Sequence, residues 1–442
     1  MDQNTVYHFV GIKGTGMAAM ALILHDRGFR VQGSDVTQTT FTQKPLEKAG
    51  IKILPFNPKN IHAGLTIIAG NSFSDEHPEI AAALQQGLKV YRYHQFLGKM
   101  IHGYTSVAVA GTHGKTSTTG LLAHVLSPLA PTDYLIGDGR GFGMKNARFF
   151  VYEADEYRRH FLGTSPDYAI LNNIDFDHPD YYTGIDDYVD AFQTFANQVH
   201  KAIFIWGDDP NLRKLTAHVP IYTFGTGDHD DFQAVNVVRN TKGSKFDAVH
   251  NGKKLGTFSI HLFGKYNLIH ALAVVAIAFV EKVDLSKVKR EMLTFKGEKR
   301  RFAHHHVADM EIIDDYAHHP SEINATIGAA RQQYPNQKII AVFQPHTYSR
   351  TKAYLPGFAK SLSRADRVYV TKIYASPREK SGHVSAADVV NRVTKPSALI
   401  HGVDMEPLLK YHHEVVVFMG AGDIPKYEVA YEKLLRKFHW LY

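Results

Sequence analysis

The sequence contains no cysteine. That excludes disulfide scaffolds, cysteine-based zinc sites and thiol nucleophiles, and it suits a reducing compartment, here expected to be the cytoplasm. Long apolar runs are also missing. The longest, Ala271 to Val280, is too short for a bilayer and reads as a buried helix. The opening MDQNTVYHFVGIKG enters a strand pattern at once, without the basic and apolar regions of a secretory signal, so neither export nor membrane insertion is expected. A block of basic charge is absent too. The net charge is +7, yet lysines and arginines are scattered and never interleave with aromatics, so no nucleic acid is expected. A mild positive field suits a substrate carrying several phosphates.

What is present is a globular chain of 442 residues, 44% of them hydrophobic, long enough for several domains. Histidine is frequent at 27, and His304-His305-His306 form an interior run. Adjacent residues cannot easily all face one ion, so a solvated or strand-borne run is expected there.

The most informative stretch is Ser106 to Leu126, SVAVAGTHGKTSTTGLLAHVL. A β-branched run ends at Gly111, and a helical pattern opens at Gly114-Lys115-Thr116-Ser117. This is the strand–loop–helix context of a phosphate-binding loop. Its glycines let backbone N–H groups face an anion at a helix N-terminus. Lys115 can reach the outer phosphates, and Thr116 or Ser117 can hold a magnesium ion. Only Thr112 and His113 lie between Gly111 and Gly114, so the loop is shorter than that of common NTPases.

Around this loop the chain alternates strand and helix in three segments, expected at residues 1–102, 103–303 and 304–442. The first opens with Gly11-Ile12-Lys13-Gly14-Thr15-Gly16, whose G-x-x-G-x-G order departs from the dehydrogenase fingerprint and argues against a nicotinamide oxidoreductase. Asp35 follows its second strand and could bind a sugar hydroxyl. In the second segment, strands end in Glu153-Ala154-Asp155-Glu156 and in Asn172-Asn173-Ile174-Asp175-Phe176-Asp177-His178. Strand ends share one edge of a parallel sheet, so these acids and His178 are expected beside the phosphates. Only one of Glu153 and Asp155 is expected to face the nucleotide. Residues 232–262 read as an antiparallel extension turning at His250-Asn251-Gly252. The third segment carries four polar loops at its strand ends, DDYAHHP, QPHTYSR, YASPRE and GAGD, which together point to a site.

These motifs, in this order along the whole chain, resemble the Mur ligases, the ATP-dependent amino-acid ligases of peptidoglycan synthesis. The resemblance rests on GIKGTGM with GSD, GTHGKTST, EADE, NIDFDHPDYY, KYNLIHALAVV, KRRF, DDYAHHP, FQPHTYSRT and MGAGDI. It implies an α/β protein with a Rossmann-like N-terminal domain, a central P-loop ATPase-type domain and a C-terminal Rossmann-like domain. These would bind the UDP-sugar, ATP and the amino acid respectively. Within the family the likeness is strongest to the branch that joins L-alanine to UDP-N-acetylmuramate through an acyl phosphate. A sister branch attaches a whole peptide instead. No oligomeric partner is implied, and monomer and dimer both remain open.

Matched position by position, the resemblance assigns Gly111, Thr112, His113, Gly114, Lys115, Thr116, Ser117, Asn267, His270, Arg301 and Asp315 to ATP. Lys115, Glu153, His178 and Asp315 would be catalytic, and Thr116, Glu153 and His178 would hold Mg2+, directly or through water. Gly14, Thr15, Gly16, Ser34, Asp35 and Ser72 would bind the UDP-sugar. Tyr316, His318, His346, Arg350 and Arg378 would orient the muramoyl carboxylate or the alanine. Some positions depart from the family pattern. Tyr266 stands where a histidine is usual, and His270 replaces the second of two asparagines. Thr347 replaces an arginine, so Arg350 is expected to share its role with Arg378. No lysine matches the carbamoylated lysine of some relatives.

Overall fold

The computed structural model describes residues 2–375 and 379–439. Three sheets follow one another along the chain. The first, of parallel strands β1 (Val6–Val10), β2 (Arg30–Asp35), β3 (Lys52–Pro55), β4 (Leu65–Ala69) and β5 (Lys89–Arg92), runs in the order β3-β2-β1-β4-β5. The second joins β6 (Thr105–Ala110), β7 (Thr132–Leu135), β8 (Gly141–Phe142), β9 (Phe149–Glu153), β10 (Tyr168–Leu171), β11 (Ala202–Trp206), β12 (Ile221–Gly225), β13 (Phe232–Asn240), β14 (Gly243–His250) and β15 (Lys253–Ile260). Its order is β15-β14-β13-β12-β11-β10-β6-β9-β7-β8, with an antiparallel extension at β13 to β15. The third contains β16 (Ala303–Val307), β17 (Met310–Asp315), β18 (Ile339–Phe343), β19 (Arg367–Val370), β20 (Ser397–Leu399) and β21 (Val415–Met419), in the order β16-β17-β21-β18-β19-β20.

Strands buried on both faces carry continuous apolar runs, as helix-covered parallel sheets demand. Val107 to Ala110, Ile339 to Phe343 and Val415 to Met419 are all buried. The apolar run Ala271 to Val280 lies in the helix Lys265–Val280, packed between the second sheet and the helix Lys115–Leu126. His304 to His306 fall on β16, so the histidine run is strand-borne.

The first and second units are tightly joined. The guanidinium of Arg27, 4% exposed, pairs with Asp133, which is fully buried and also accepts the Met144 N–H at 2.6 Å. A Cβ at Gly141 or Gly143 would strike the backbone of the helix Thr15–Asp26 at Ala19 or Ile23. Asp133→Ala leaves a buried guanidinium unpaired and is expected to cost about 3 kcal/mol, read as a lowered unfolding midpoint. The third unit is joined through residues 296–302, where Gly297, Arg300 and Phe302 all have positive φ.

Candidate functional site

The phosphate loop connects β6 to the helix Lys115–Leu126. Gly114 caps that helix at φ 79°, and a Cβ there would lie 2.5 Å from the His270 ring, so only glycine fits. The neighbouring β10 loop braces the turn. Asn173 accepts the His113 N–H at 2.9 Å, and the Asn172 amide donates to the His113 carbonyl at 3.3 Å.

Lys115 is folded back over this loop. Its ammonium donates to the carbonyls of Gly111 at 2.7 Å and Thr112 at 3.1 Å, and pairs with Glu156 at 2.8 Å. Burial works against its charge, but Glu156, Glu153 and Asp155 outweigh that and raise its pKa. Thr116 donates to Glu153 at 2.9 Å, and the same carboxylate oxygen accepts the Gly137 N–H at 2.9 Å. Burial pushes the Glu153 carboxyl up, against Lys115 and Arg301. His178, at φ 57°, places Nε2 3.3 Å from the other oxygen of Glu156. Burial opposes a charged His178, yet Glu156 and Asp177 raise its pKa. Thr116 is thus joined to Glu153, and His178 to Glu156. Among the described residues Glu153 and His178 share no trio of His, Asp or Glu ligand atoms within 4.8 Å.

Of the pair Glu153 and Asp155, Glu153 is the one hydrogen-bonded to Thr116 of the loop. The strand ends at Glu153, and Asp155 beyond it turns to His160 at 3.6 Å.

The third unit closes over this edge. Arg350 and Asp177 are 8% and 4% exposed and pair at 2.9 Å and 3.1 Å, holding the Asp177 carboxyl far below the usual carboxylate range although burial alone would raise it. The Tyr354 hydroxyl donates to the Phe176 carbonyl at 2.7 Å. His113 bridges Asp175 at 3.2 Å and Glu322 at 3.3 Å, and Ser321 donates to Asp175. Burial disfavours a charged His113, but its hydrogen bonds to Asp175 and Glu322 push its pKa from 6.5 up to about 9. A histidine raised on folding contributes stability that is complete below about pH 6.5 and lost as pH rises through about 9. The unfolding midpoint should therefore fall across that window by the equivalent of up to about 3 kcal/mol. In His113→Gln that part of the slope should disappear.

Behind the loop, a cavity of about 390 Å³ separates the second and third units, walled by Trp206, Phe263, Tyr266 and Phe302. His113, Gly114, Ser117, Asn267, His270, Arg301 and Asp315 also line it. Burial lowers the His270 pKa to about 4, and its Nδ1 is buried without a partner. Asn267 donates to the Phe263 carbonyl at 2.8 Å. Arg301 reaches Thr116 at 3.3 Å and lies over the Tyr316 ring at 4.9 Å. Asp315 accepts the N–H groups of Phe302 at 2.7 Å and Ala317 at 2.8 Å, fixing the end of the connection. Burial raises its carboxyl to about 6.

His318 and His346 have ring centroids 6.3 Å apart, His346 lies 3.2 Å from Arg350, and Tyr374 stacks on His346 at 5.6 Å. Burial lowers both imidazoles, to about 3 for His318 and about 4 for His346. Tyr316 lies against His318 at 5.3 Å. Arg378 lies outside the described residues.

A second cavity, of about 400 Å³, lies between the first and second units. Gly14, Thr15, Gly16, Asp35 and Ser72 line it, opposite Asp155, Tyr157 and His160. The Asp35 carboxylate accepts the Lys13 N–H at 2.6 Å and the Val36 N–H at 2.7 Å, so it also shapes the glycine turn. Ser34 is a correction to the sequence reading. It is fully buried, donates to Glu79 and does not line the cavity, because its side chain points to the face that Glu79 and His8 share.

Sequence reasoning passed over Glu156, Asp177 and Glu322. Glu156 and Asp177 stood inside quoted motifs. Glu322 completes a capping box with His319 on the helix Pro320–Gln333, and its spacing reads as a cap alone.

The chain matches "Mur ligase family, catalytic domain" over residues 6–105, "Mur ligase middle domain" over 109–278 and "Mur ligase, glutamate ligase domain" over 300–422. It is 64% identical over 435 residues to a UDP-N-acetylmuramate–L-alanine ligase of Levilactobacillus brevis, covering 98% of each chain. The corresponding protein of Lactiplantibacillus plantarum is 60% identical, with 99% of this chain and 100% of that one covered. The crystal structure of a UDP-N-acetylmuramate–alanine ligase from Thermotoga maritima superposes with a TM-score of 0.81 at 28% identity, over 98% of this chain and 99% of that one. The three family models fall one on each of the three α/β units, and with relatives alike over nearly the whole chain they show that the chain belongs to the Mur ligase family.

Proposed function

We propose that this protein is an ATP-dependent ligase that joins L-alanine to the lactyl carboxylate of UDP-N-acetylmuramate through an acyl phosphate, in peptidoglycan precursor synthesis. The observation that carries the reading is the closed seam. The loop bearing Lys115 faces the cluster of His318, His346 and Arg350, with Asp177–Arg350 and His113–Glu322 bolting the two units together.

The chemistry requires such a seam. A carboxylate has no leaving group, so transfer of the γ-phosphoryl group to it creates one, and the amine then displaces phosphate. Water would intercept that intermediate, so the site must close before transfer. Lys115, released from Glu156, would neutralise charge on the migrating phosphoryl group. The imidazoles of His318 and His346, kept neutral by burial, would hydrogen-bond the incoming amine in its deprotonated form, and Arg350 would orient a carboxylate.

The aromatic cavity would hold adenine, with Asn267 and His270 among its polar lining residues. Residues of the fitting kinds for Mg2+ are also present: the Thr116 hydroxyl, the Glu153 carboxylate and the His178 imidazole. A bound magnesium ion would screen the phosphate charge. The separation of the pairs Thr116–Glu153 and His178–Glu156 favours joining them through water and phosphate oxygens. The cavity of Gly14, Thr15, Gly16, Asp35 and Ser72 would hold the UDP-sugar. We take the functional units to meet near residues 102–103 and 303–304. A cytoplasmic location fits a chain in which no described helix is long and apolar enough to cross a membrane.

The test is phosphate release from Mg-ATP with UDP-N-acetylmuramate present or absent, the amine varied among L-alanine, glycine, L-serine and a tripeptide. Release should require the UDP-sugar and run fastest with L-alanine. Release indifferent to the UDP-sugar overturns the ligase reading, and preference for the tripeptide assigns the protein to the sister branch.

A further inference from the structure

The three histidines of β16 alternate sides. His304 lies near the Phe263 ring at 6.2 Å, and His306 pairs with Glu311 at 2.9 Å. His305 alone meets the helix Pro425–His439, with Nε2 2.8 Å from Glu432 Oε1 and 3.9 Å from Glu428 Oε1. The two glutamates are one helical turn apart, so both carboxylates fall on one face, opposite the strand. We propose that His305, Glu428 and Glu432 form a binding site for a divalent transition-metal ion of the zinc class, separate from the ligase site.

The geometry suits such an ion. The three ligand atoms lie within 4.8 Å of one another. Bonds of about 2.0–2.1 Å in a tetrahedral shell set neighbouring ligands about 3.4 Å apart. The separations of 2.8 Å and 3.9 Å bracket that value, so small side-chain shifts complete the shell.

Glu428 supplies a second, independent argument. It is only 8% exposed, and no hydrogen-bond donor reaches its carboxylate among the described residues, the His305 ring lying 3.9 Å away. Arg300 is committed to Asp314 at 3.3 Å and to the Gly420 carbonyl at 2.7 Å. Glu428 therefore faces the cluster with no hydrogen-bonded partner on its own carboxylate among the described residues. Arg436 holds the remaining oxygen of Glu432 at 3.0 Å, which orients that ligand. The His305 side chain is 40% exposed, leaving a path for the ion and room for water in the fourth position.

One imidazole with two carboxylates suits zinc or cobalt better than magnesium, which prefers an octahedral oxygen shell. His305 pairs with Ile312 in the β16–β17 ladder, and Asp314 lies on that same face. Asp315 alternates to the opposite face, toward the nucleotide cavity. An ion at His305 would pin β16, which follows the inter-unit connection, to the C-terminal helix.

The full-length protein, stripped with EDTA and desalted, is supplied with Mg2+ and a non-hydrolysable ATP analogue to fill the ligase site. It is then titrated with Zn2+ by calorimetry and with Co2+ by visible absorption. One ion should bind with a micromolar Kd, give the d–d absorption of a low-coordinate Co2+ centre and raise the unfolding midpoint. His305→Ala and Glu428→Gln should each weaken binding about tenfold or more and abolish the thermal shift, while ligation with magnesium alone stays near wild type. That retained ligation also reports that the variants fold. Absence of a Co2+ band overturns the proposal. So does binding that survives in His305→Ala, which would place the ion elsewhere, the other cluster of ligand atoms within 4.8 Å among the described residues being His113, Asp175 and His319.

Discussion

Exchange of Lys115 for alanine is expected to lower ligation about a thousandfold, the scale of losing one preorganised charge from a transition state. The same exchange leaves Glu156, 1% exposed, without its ammonium. Stability should fall by about 3 kcal/mol, the usual cost of a broken buried pair. The two effects separate in the double variant. Adding Glu156→Gln to Lys115→Ala should restore most of the unfolding midpoint and none of the turnover. Steady-state ligation and thermal unfolding of the single and double variants check this. Near-normal turnover in the single variant would show that the loop does not act on the phosphates.

The second large effect is expected at Arg350. Its guanidinium joins the third unit to the second at Asp177 with both groups buried, so Arg350→Ala leaves a carboxylate in a dry seam. The closed form should lose about 3–5 kcal/mol relative to the open one. Ligation should then fall about a hundredfold or more, while ATP hydrolysis without ligation rises relative to product as water reaches the intermediate. The ratio of phosphate released to ligated product measures this uncoupling, and small-angle scattering reports the shift to an extended particle. Arg350→Lys should recover little, because one ammonium cannot reproduce the two-pronged contact. A tight product ratio in Arg350→Ala would remove the latch from the mechanism.

How far these sites were legible in the sequence depended on whether the signal was local. Val107 to Ala110, Ile339 to Phe343 and Val368 to Val370 announce themselves because a parallel sheet buried on both faces needs unbroken apolar runs. The edge strands Lys52–Pro55 and Ser397–Leu399 do not, being short, partly exposed and mixed in polarity. The strands Ala202–Trp206 and Ile221–Gly225 went unmarked although the first is largely buried, since four to five apolar residues fit strand or helix alike.

The phosphate loop and its neighbours were readable from glycine spacing and strand ends. The partners of those residues were not. His113 meets Glu322 across more than two hundred positions of chain, and Ser34 turned to Glu79 rather than to the cavity beside it. Neither choice leaves a mark in local sequence. Which face a polar side chain takes at a strand end is decided by what tertiary packing brings opposite.

The close joining of the first two units at Arg27 and Asp133, and at the glycines pressed on the helix Thr15–Asp26, makes one larger body of them. The groove of Gly14 and Tyr157 lies wholly within the larger body, so its ligand meets a finished surface. On the proposed reading the amine, by contrast, would meet a site assembled only when the third unit closes, and its apparent affinity would carry the cost of that closure. Compounds aimed at the groove should therefore bind equally well whether the hinge is open or shut. Mimics of the amino acid should gain in affinity from anything that keeps it shut.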